Sequence, residues 1–330
     1  MRLSASEKAE TVRLVVNSDL GIKRTLERLG IHRSTFYNWY RGYVEGGEAA
    51  LEPKKRRREQ WNRIPNPIRE MVVDVALDNP ELSSRELSFK ITDELETFIS
   101  ESSVYRILKD NGLTETRQHE FLVAADEYRH KTKFQNEMWQ TDFTYFRVIA
   151  WGWYYLSTIL DDFSRFIIDW ELCTTMNKED VMRCVDRAMI KASIPKGHPP
   201  RLLSDNGPCY IAADLGDYLE SEYGMKQVHG APLHPQTQGK IERYHRSMKN
   251  VIKLQNYYSP DELREAIAAW VEYYNYHRYH ESLDNLTPAD VYFGRGGTIL
   301  RKREELKRKA LEQRREIYYK GKTGSNDNDD

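Results

Sequence analysis

Three carboxylates are placed where metal-dependent phosphoryl chemistry would need them. Asp205 and Glu242 stand with 36 residues between them, and Asp142 lies upstream. Asp205 closes the apolar pair Leu202-Leu203 and precedes Asn206-Gly207, a turn signal, so it reads as a strand-end group. Glu242 sits in a basic, aromatic helix just past the Pro/Gly/Gln-rich loop HPQTQG, and Asp142 sits inside the β-prone run MWQTDFTYF. Carboxylates brought together repel one another, and a divalent cation is the usual reason to accept that repulsion. Oxygen ligands suit Mg²⁺ or Mn²⁺. Two such ions, about 3.5–4 Å apart, activate an attacking water or 3′-hydroxyl and stabilise the leaving oxygen of an in-line displacement, with no covalent nucleophile on the protein.

The helix after the loop adds a separate argument. Glu242, His245, Arg246 and Lys249 fall at i, i+3, i+4 and i+7 and share one face. A carboxylate flanked by cations suits a phosphodiester, the cations on backbone phosphates and the metal at the scissile one. The alternative is an i,i+4 salt bridge, Glu242 with Arg246, on a solvated face. Asp161 and Asp162 compete for a site role. The DDFSR segment reads as a turn in which Asp161 or Ser164 bonds the backbone. His234, in the HPQTQG loop, orders that loop, with contact to substrate or a ligand role as the alternatives.

The elements that must hold these groups are legible by composition. MWQTDFTYFRVIA and WGWYYLSTILDDFSRFIIDWEL are rich in aromatic and β-branched residues, with turns at 150–152 and 161–165, and read as three antiparallel strands. A hairpin turn at Ala150-Trp151 places Asp142 opposite Ile159, and strand parity places Asp161 on the Asp142 face. A helix, the strand into Asp205, a second helix, the short strand KQVHGAP and the Glu242 helix follow, a mixed five-stranded α/β layer.

Residues 4–43 read as three short helices. Ala9, Val12, Val15 and Val16 form one apolar face, and Ile22, Leu26 and Leu29 a second. After the Gly30-Ile31 turn comes RSTFYNWYRGY, completing a helix-turn-helix pattern. Phe36, Trp39 and Tyr40 pack inward in this reading, while Ser34, Thr35, Tyr37, Asn38 and Arg41 face a DNA groove. A run of cations follows, Lys54, Lys55, Arg56, Arg57 and Arg58. A second helix-turn-helix ends on a helix with Ser102, Ser103, Arg106 and Lys109 outward; a structural spacer is its alternative.

Net charge is −1, but the charge is unevenly placed. Residues 1–63 hold 14 Lys+Arg against 8 Asp+Glu, and residues 300–322 hold 10 against 4, an excess of +6 at each end. Basic ends suit a polyanion, though solvated helical surfaces look alike by charge alone. Three scattered cysteines exclude a disulfide framework and a paired zinc site and fit a reducing cytosol. No signal peptide is evident, and no apolar run approaches the roughly 20 residues of a membrane span. The tail 321–330 is polar, acidic at its tip and read as disordered.

The stretches WQTDFTYF, LDDFSRFIIDW, LLSDNGP and HPQTQGKIERYHRSMK resemble the catalytic core of retroviral integrases and bacterial insertion-sequence transposases, the DDE enzymes with a ribonuclease H-like fold. AWVEYYNYHRYHESLDNLTPADVY resembles the segment that follows the core in the bacterial members. The resemblance covers roughly residues 5–295, and two N-terminal helix-turn-helix units match that group's layout. It implies that Asp142, Asp205 and Glu242 are the metal-binding triad and that Lys249 is a DNA-contacting base. The Asp205–Glu242 gap is one residue longer than the commonest 35, which a loop absorbs. The retroviral zinc module is absent, so zinc is not implied.

The expected organisation is multidomain. A helix-turn-helix occupies 1–52, a basic linker 53–64, a second helix-turn-helix 65–114 and a linker 115–135. The ribonuclease H-like core follows at 136–258, its C-terminal helical part at 259–295, and a basic helix with its tail at 296–330. The expected activity is that of a DNA transposase, binding terminal inverted repeats and joining strands with two Mg²⁺ or Mn²⁺ ions. Its partners are double-stranded DNA, both element ends and target, and further copies of itself on that DNA. A bacterial cytoplasm at the nucleoid is implied, with no membrane. A non-catalytic DNA-binding regulator descended from a transposase, or a ribonuclease H-like nuclease, are the rivals.

Overall fold

A computed structural model describes residues 4–18, 20–52, 60–114, 132–195, 197–211, 213–229 and 239–323. The basic run Lys54–Arg58, most of the 115–135 linker, His234 with its loop and the end of the tail lie outside them. Two compact units are present, residues 1–63 with 315–330, and residues 64–314.

In the first unit, α1 (Ala5–Val16), α2 (Ile22–Leu29) and α3 (Arg33–Gly46) close around Val12, Val15, Leu26 and Phe36. Ser4 and Glu7 form a capping box on α1, and Gly30 turns the chain out of α2 at φ +65°. Ser34, Tyr37, Asn38 and Arg41 are exposed and Thr35 is half-buried. The apolar faces are narrower than expected. Val16, Ile22 and Leu29 are exposed, and Tyr40 stacks on Phe36 from the outside. A three-helix unit this small has room for one inward stripe per helix.

The second unit opens with α4 (Asn66–Asp78), α5 (Ser84–Glu94) and α6 (Glu101–Asp110), packed around Val72, Leu87, Ile91, Val104 and Ile107. The Ser83–Glu86 capping box starts α5, as the sequence requires. On α6, Ser102, Arg106 and Lys109 are exposed, and Ser103 is half-buried against Ser100.

The sheet comprises β1 (Met138–Val148), β2 (Gly152–Asp161), β3 (Ile167–Cys173), β4 (Arg201–Ser204) and β5 (Gln227–His229), in the order β3-β2-β1-β4-β5. The first three pair antiparallel; β4 and β5 run parallel to β1. Helix α7 (Lys178–Ala192), the short α8 (Pro208–Ile211) and α9 (Ala213–Tyr223) supply one covering layer, with Trp139, Ile159, Val181, Val185, Leu202 and Leu215 in its core. On the other face lie α10 (Gly239–Ile252) and α11 (Pro260–Tyr276), over Phe146, Val148, Leu156 and Leu160. This is the expected mixed five-stranded layer. After it come α12 (Pro288–Tyr292) and α13 (Gly296–Thr323), the latter realising the expected C-terminal helix.

One register differs from expectation. Val148 pairs with Gly152, so the β1–β2 loop holds three residues, with Ala150 at φ +65° and Gly152 at φ +99°. Asp142 therefore faces Thr158, not Ile159, and Asp161 pairs with Trp139 on the opposite face of the sheet from Asp142. A one-residue slip exchanges every face.

The cysteines are free, Cys173 and Cys184 buried and Cys209 half-buried. No helix of the described residues is long and apolar enough to cross a membrane.

Candidate active site

The last matched pair between β1 and β4 is Gln140 with Leu203. Two residues further along the chain from each stand Asp142, within β1, and Asp205, just past the end of β4, so parallel pairing of these neighbouring central strands brings the two carboxylates to the same level. Asp205 leaves β4 into a tight turn in which its Oδ1 accepts from the Gly207 N–H at 2.8 Å. A Cβ on Gly207 would meet that oxygen at 2.9 Å, which explains the glycine. Partial burial of the Asp205 carboxyl and the neighbouring Asp142 charge push its pKa up, against the Gly207 N–H and His229.

Glu242 arrives on α10. Ile241, Tyr244, Met248 and Ile252 form the buried stripe that fixes the helix to the sheet. Glu242, His245, Arg246 and Lys249 line a cleft of about 750 Å³ with Asp142, Phe143, Thr144 and Lys253. Burial and the Asp142 charge raise the Glu242 pKa, while Arg246, His245 and Arg243 pull it down. Asp142 is thus the neighbour whose charge both other carboxylates feel.

The four residues of that face do not share one environment. Arg246 is exposed. Lys249 is half-buried, its Nζ 4.5 Å from the centre of the Tyr145 ring. His245 is buried, its Nδ1 3.3 Å from Asp142 Oδ2 and its Nε2 without a hydrogen-bond partner among the described residues. Spacing placed His245 beside phosphate; the helix tilts it onto the carboxylate instead.

A supporting network was not anticipated. Asp162 is buried just past β2. Its Oδ1 accepts from Gln140 Nε2 at 2.6 Å, and its Oδ2 from Thr132 Oγ1 at 2.7 Å and Lys240 Nζ at 2.9 Å. Gln140 Oε1 in turn accepts from the Ile241 N–H at 3.2 Å, one of the first-turn amides of α10 that lacks a helical partner. The network therefore ties the first turn of α10, where Glu242 sits, to β1. The available signal was the lysine two residues before Glu242. Asp161 does as expected: its Oδ2 accepts from Ser164 N and Oγ at 2.8 and 2.5 Å, and its Oδ1 from Asn136 N at 2.7 Å.

The donor set suits a hard cation. All three groups offer carboxylate oxygens, and the Asp205 and Glu242 pKa values are raised first by burial and then by the Asp142 charge, a charge that a divalent ion would offset. Among the described residues no three His, Cys, Asp or Glu groups are gathered tightly enough to cage an ion.

Comparison with known proteins agrees with this architecture. The Integrase core domain pattern matches residues 133–235, and a second Integrase core domain pattern matches 223–288. Residues 133–288 are thus similar to an integrase core. A Helix-turn-helix domain pattern matches residues 7–59 and a Homeodomain-like domain pattern residues 35–108. The chain is 30% identical over 156 residues to the putative transposase InsK for insertion sequence element IS150 of Escherichia coli (strain K12), covering 47% of this chain and 54% of that protein. It is 25% identical over 189 residues to the transposase for insertion sequence element IS629 of Shigella sonnei, covering 56% and 62%. It is also 31% identical over 117 residues to the Gag-Pro-Pol polyprotein of Squirrel monkey retrovirus, covering 36% and 6%. The matches thus span little more than half of the insertion-sequence transposases and a small part of the polyprotein. The expected likeness, a bacterial insertion-sequence transposase with an integrase-like core, stands.

Proposed function

We propose that this chain is a DNA transposase that binds the terminal inverted repeats of a mobile element and cuts and joins DNA strands. The observation that supports the reading is the Gln140–Leu203 register, which brings Asp142 and Asp205 to the same level on neighbouring strands, with Glu242 sharing a cationic cleft with Asp142. Asp142, Asp205 and Glu242 would hold Mg²⁺ or Mn²⁺, two ions in the working complex. The bound ions supply activation of the attacking oxygen and stabilisation of the leaving one. The protein's part is positional: Asp162, Lys240 and Gln140 set the start of α10, His245 orients Asp142, and Arg246 and Lys249 take backbone phosphates.

In the helix-turn-helix segments, Ser34, Thr35, Asn38 and Arg41 would face one stretch of the repeat, and Ser103, Arg106 and Lys109 a second. Lys54, Lys55, Arg56, Arg57 and Arg58 would add phosphate contacts between them. The working form is a multimer on DNA, because two ends must be brought together, and its place is the bacterial nucleoid. We propose the division expected from the sequence, two recognition segments, a core and a C-terminal helix.

The test uses the full chain with Mg²⁺ or Mn²⁺ and DNA carrying the element's ends. Nicking and joining are expected, and Asp205→Asn and Glu242→Gln should each abolish both while leaving end binding within twofold. Undiminished product from either variant, or RNA–DNA hybrids cut as well as end DNA, would refute the reading. Short imperfect inverted repeats flanking the gene would support it independently.

A further inference from the structure

The basic helix α13 turns two of its arginines inward. Arg303 and Arg314 are each 8% exposed. Three helical turns separate them, which sets them on one face of α13 about 16 Å apart. Arginine is almost never buried without partners, and here both find them in the second helix-turn-helix segment. Arg303 grips Asp93 of α5 with two bonds, Nε to Oδ1 at 2.8 Å and Nη2 to Oδ2 at 2.7 Å. The Phe89 ring, one turn earlier on α5, has its centre 4.6 Å from the guanidinium. On its other side Arg303 donates to the turn that follows α11, from Nη1 to the Asp284 carbonyl at 3.2 Å and from Nη2 to the Asn285 carbonyl at 2.9 Å. Arg314 Nη2 donates to the Phe98 carbonyl at 2.9 Å, just ahead of α6. Lys302 with Glu96 and Arg85 with Glu281 join the same segments, but these glutamates are 63% and 81% exposed and such pairs add little. The start of α13 is tied to the sheet through α12. Ala289 is buried in the core beneath it, Tyr292 stacks on Phe166 at 4.6 Å, and the Tyr292 hydroxyl donates to Asn136 Oδ1 at 3.1 Å, just before β1.

We infer that α13 is a strut, locked by Arg303, that fixes the distance from the DNA-facing side of α6 to the carboxylates and so selects which phosphodiester is cut. The inference rests on the proposed transposase function and adds the residue that sets its register. Ser102, Arg106 and Lys109 stay exposed on α6, so the lock leaves that face open to DNA. Phosphates along one DNA strand follow one another at roughly 3.4 Å. Docking loosened by that much would bring a neighbouring phosphate to the carboxylates as readily as the correct one. A helix held at both ends keeps its length, because every residue is fixed at a rise of about 1.5 Å by the helical hydrogen bonds. Arg303 touches neither DNA nor the carboxylates and is a positioning residue. Lysine cannot replace it, since an ammonium lacks the planar fork that holds the Asp93 carboxylate with two bonds while bonding two carbonyls opposite.

The experiment uses the full chain with Mg²⁺ and labelled DNA carrying the element's ends, and maps each cut to the nucleotide. Wild type should cut predominantly at one phosphate. Arg303→Ala and Arg303→Lys should share the cut about equally between that phosphate and its neighbours, with end binding within about twofold of wild type. A loss of stability alone would lower the yield and leave the position unmoved. A short Gly/Ser insertion between residues 115 and 131, the stretch that joins α6 to β1 in sequence, should leave the wild-type position unchanged. The same insertion combined with Arg303→Ala should broaden the cut further. Should Arg303→Ala fail to fold, Asp93→Asn keeps the side-chain volume and is read in its place. A single unmoved cut in a folded Arg303 or Asp93 variant overturns the strut while leaving the transposase reading intact. A wild-type cut that shifts with the insertion does the same. Failure of wild type to cut end DNA at all overturns both.

Discussion

Removing the Asp162 carboxylate tests whether Glu242 is held by the network beneath it. In Asp162→Ala the Gln140 amide and the Thr132 hydroxyl lose their common acceptor, and the Lys240 ammonium keeps only the Asp162 backbone carbonyl, at 2.8 Å, without its counter-charge. Breaking a buried ion pair by deleting one partner costs about 3–5 kcal/mol, because the remaining charge stays buried and uncompensated. The Lys240 side chain is 14% exposed against 3% for Asp162, so water reaches the lysine in part and the lower end, about 3 kcal/mol, is expected. Urea unfolding followed by circular dichroism should show that loss as a lower midpoint with an unchanged slope. Lys240→Met alone should also destabilise, and the double variant should recover part of the loss, a coupling of about 1.5 kcal/mol or more. A freed Gln140 no longer holds the Ile241 N–H, so Asp162→Ala should also lower strand cleavage more than it lowers DNA binding. An Asp162→Ala protein within about 1 kcal/mol of wild type, or single effects that simply add, would refute the argument.

Asn275 of α11 accepts from Ile167 N and donates to Ile167 O, both at 2.9 Å, and so pairs β3 at its start. Asn275→Ala leaves two buried backbone groups unpaired and should cost about 2–4 kcal/mol in the same unfolding assay. Gly207→Ala puts a Cβ 2.9 Å from Asp205 Oδ1 and should displace that carboxylate. Cleavage should fall tenfold or more with little change in melting temperature, and unaltered cleavage would count against Asp205 as a site residue. Burial raises the Asp161 pKa from 3.8 to about 6 despite its hydrogen bonds. A carboxyl whose folded pKa is raised contributes stability that is full below the unfolded pKa and lost as pH rises through about 6. Stability should therefore decline across pH 4–6 by up to about 3 kcal/mol from this group, and Asp161→Asn should flatten that decline.

The carboxylates were legible because each sits next to a strong local signal. Leu202-Leu203 before Asp205 and Asn206-Gly207 after it leave little choice but a strand end, and the resemblance pointed to all three. The β1–β2 register was not legible. The turn carries no Asn-Gly signal, and a three-residue loop with Ala150 in the left-handed region looks like a two-residue one until the strands are paired. That single residue moved Asp161 to the far face. The Asp162 network was hidden for another reason: its partners Gln140 and Lys240 are 22 and 78 positions away in sequence, and no periodicity reports contacts of that range. His245 shows the limit of helical spacing, which says which residues share a face but not how the helix is rolled against its sheet.

That roll explains how one helix serves both fold and chemistry. Ile241, Tyr244, Met248 and Ile252 recur at three- and four-residue steps and lock α10 over β1 and β2. Glu242, His245, Lys249 and Lys253 each follow a member of that stripe by one residue, so they run along its rim rather than on the far side of the helix. A rim position lets a side chain reach the sheet edge while its head stays in the cleft. Glu242 meets the Asp142 charge this way, and Lys249 and Lys253 reach Tyr145. Rolling the helix outward by one position would withdraw Glu242 from Asp142 and expose Ile241 together. The buried stripe and the carboxylate cleft are therefore set by the same packing, and a core substitution such as Met248→Ala should reduce strand cleavage as well as stability.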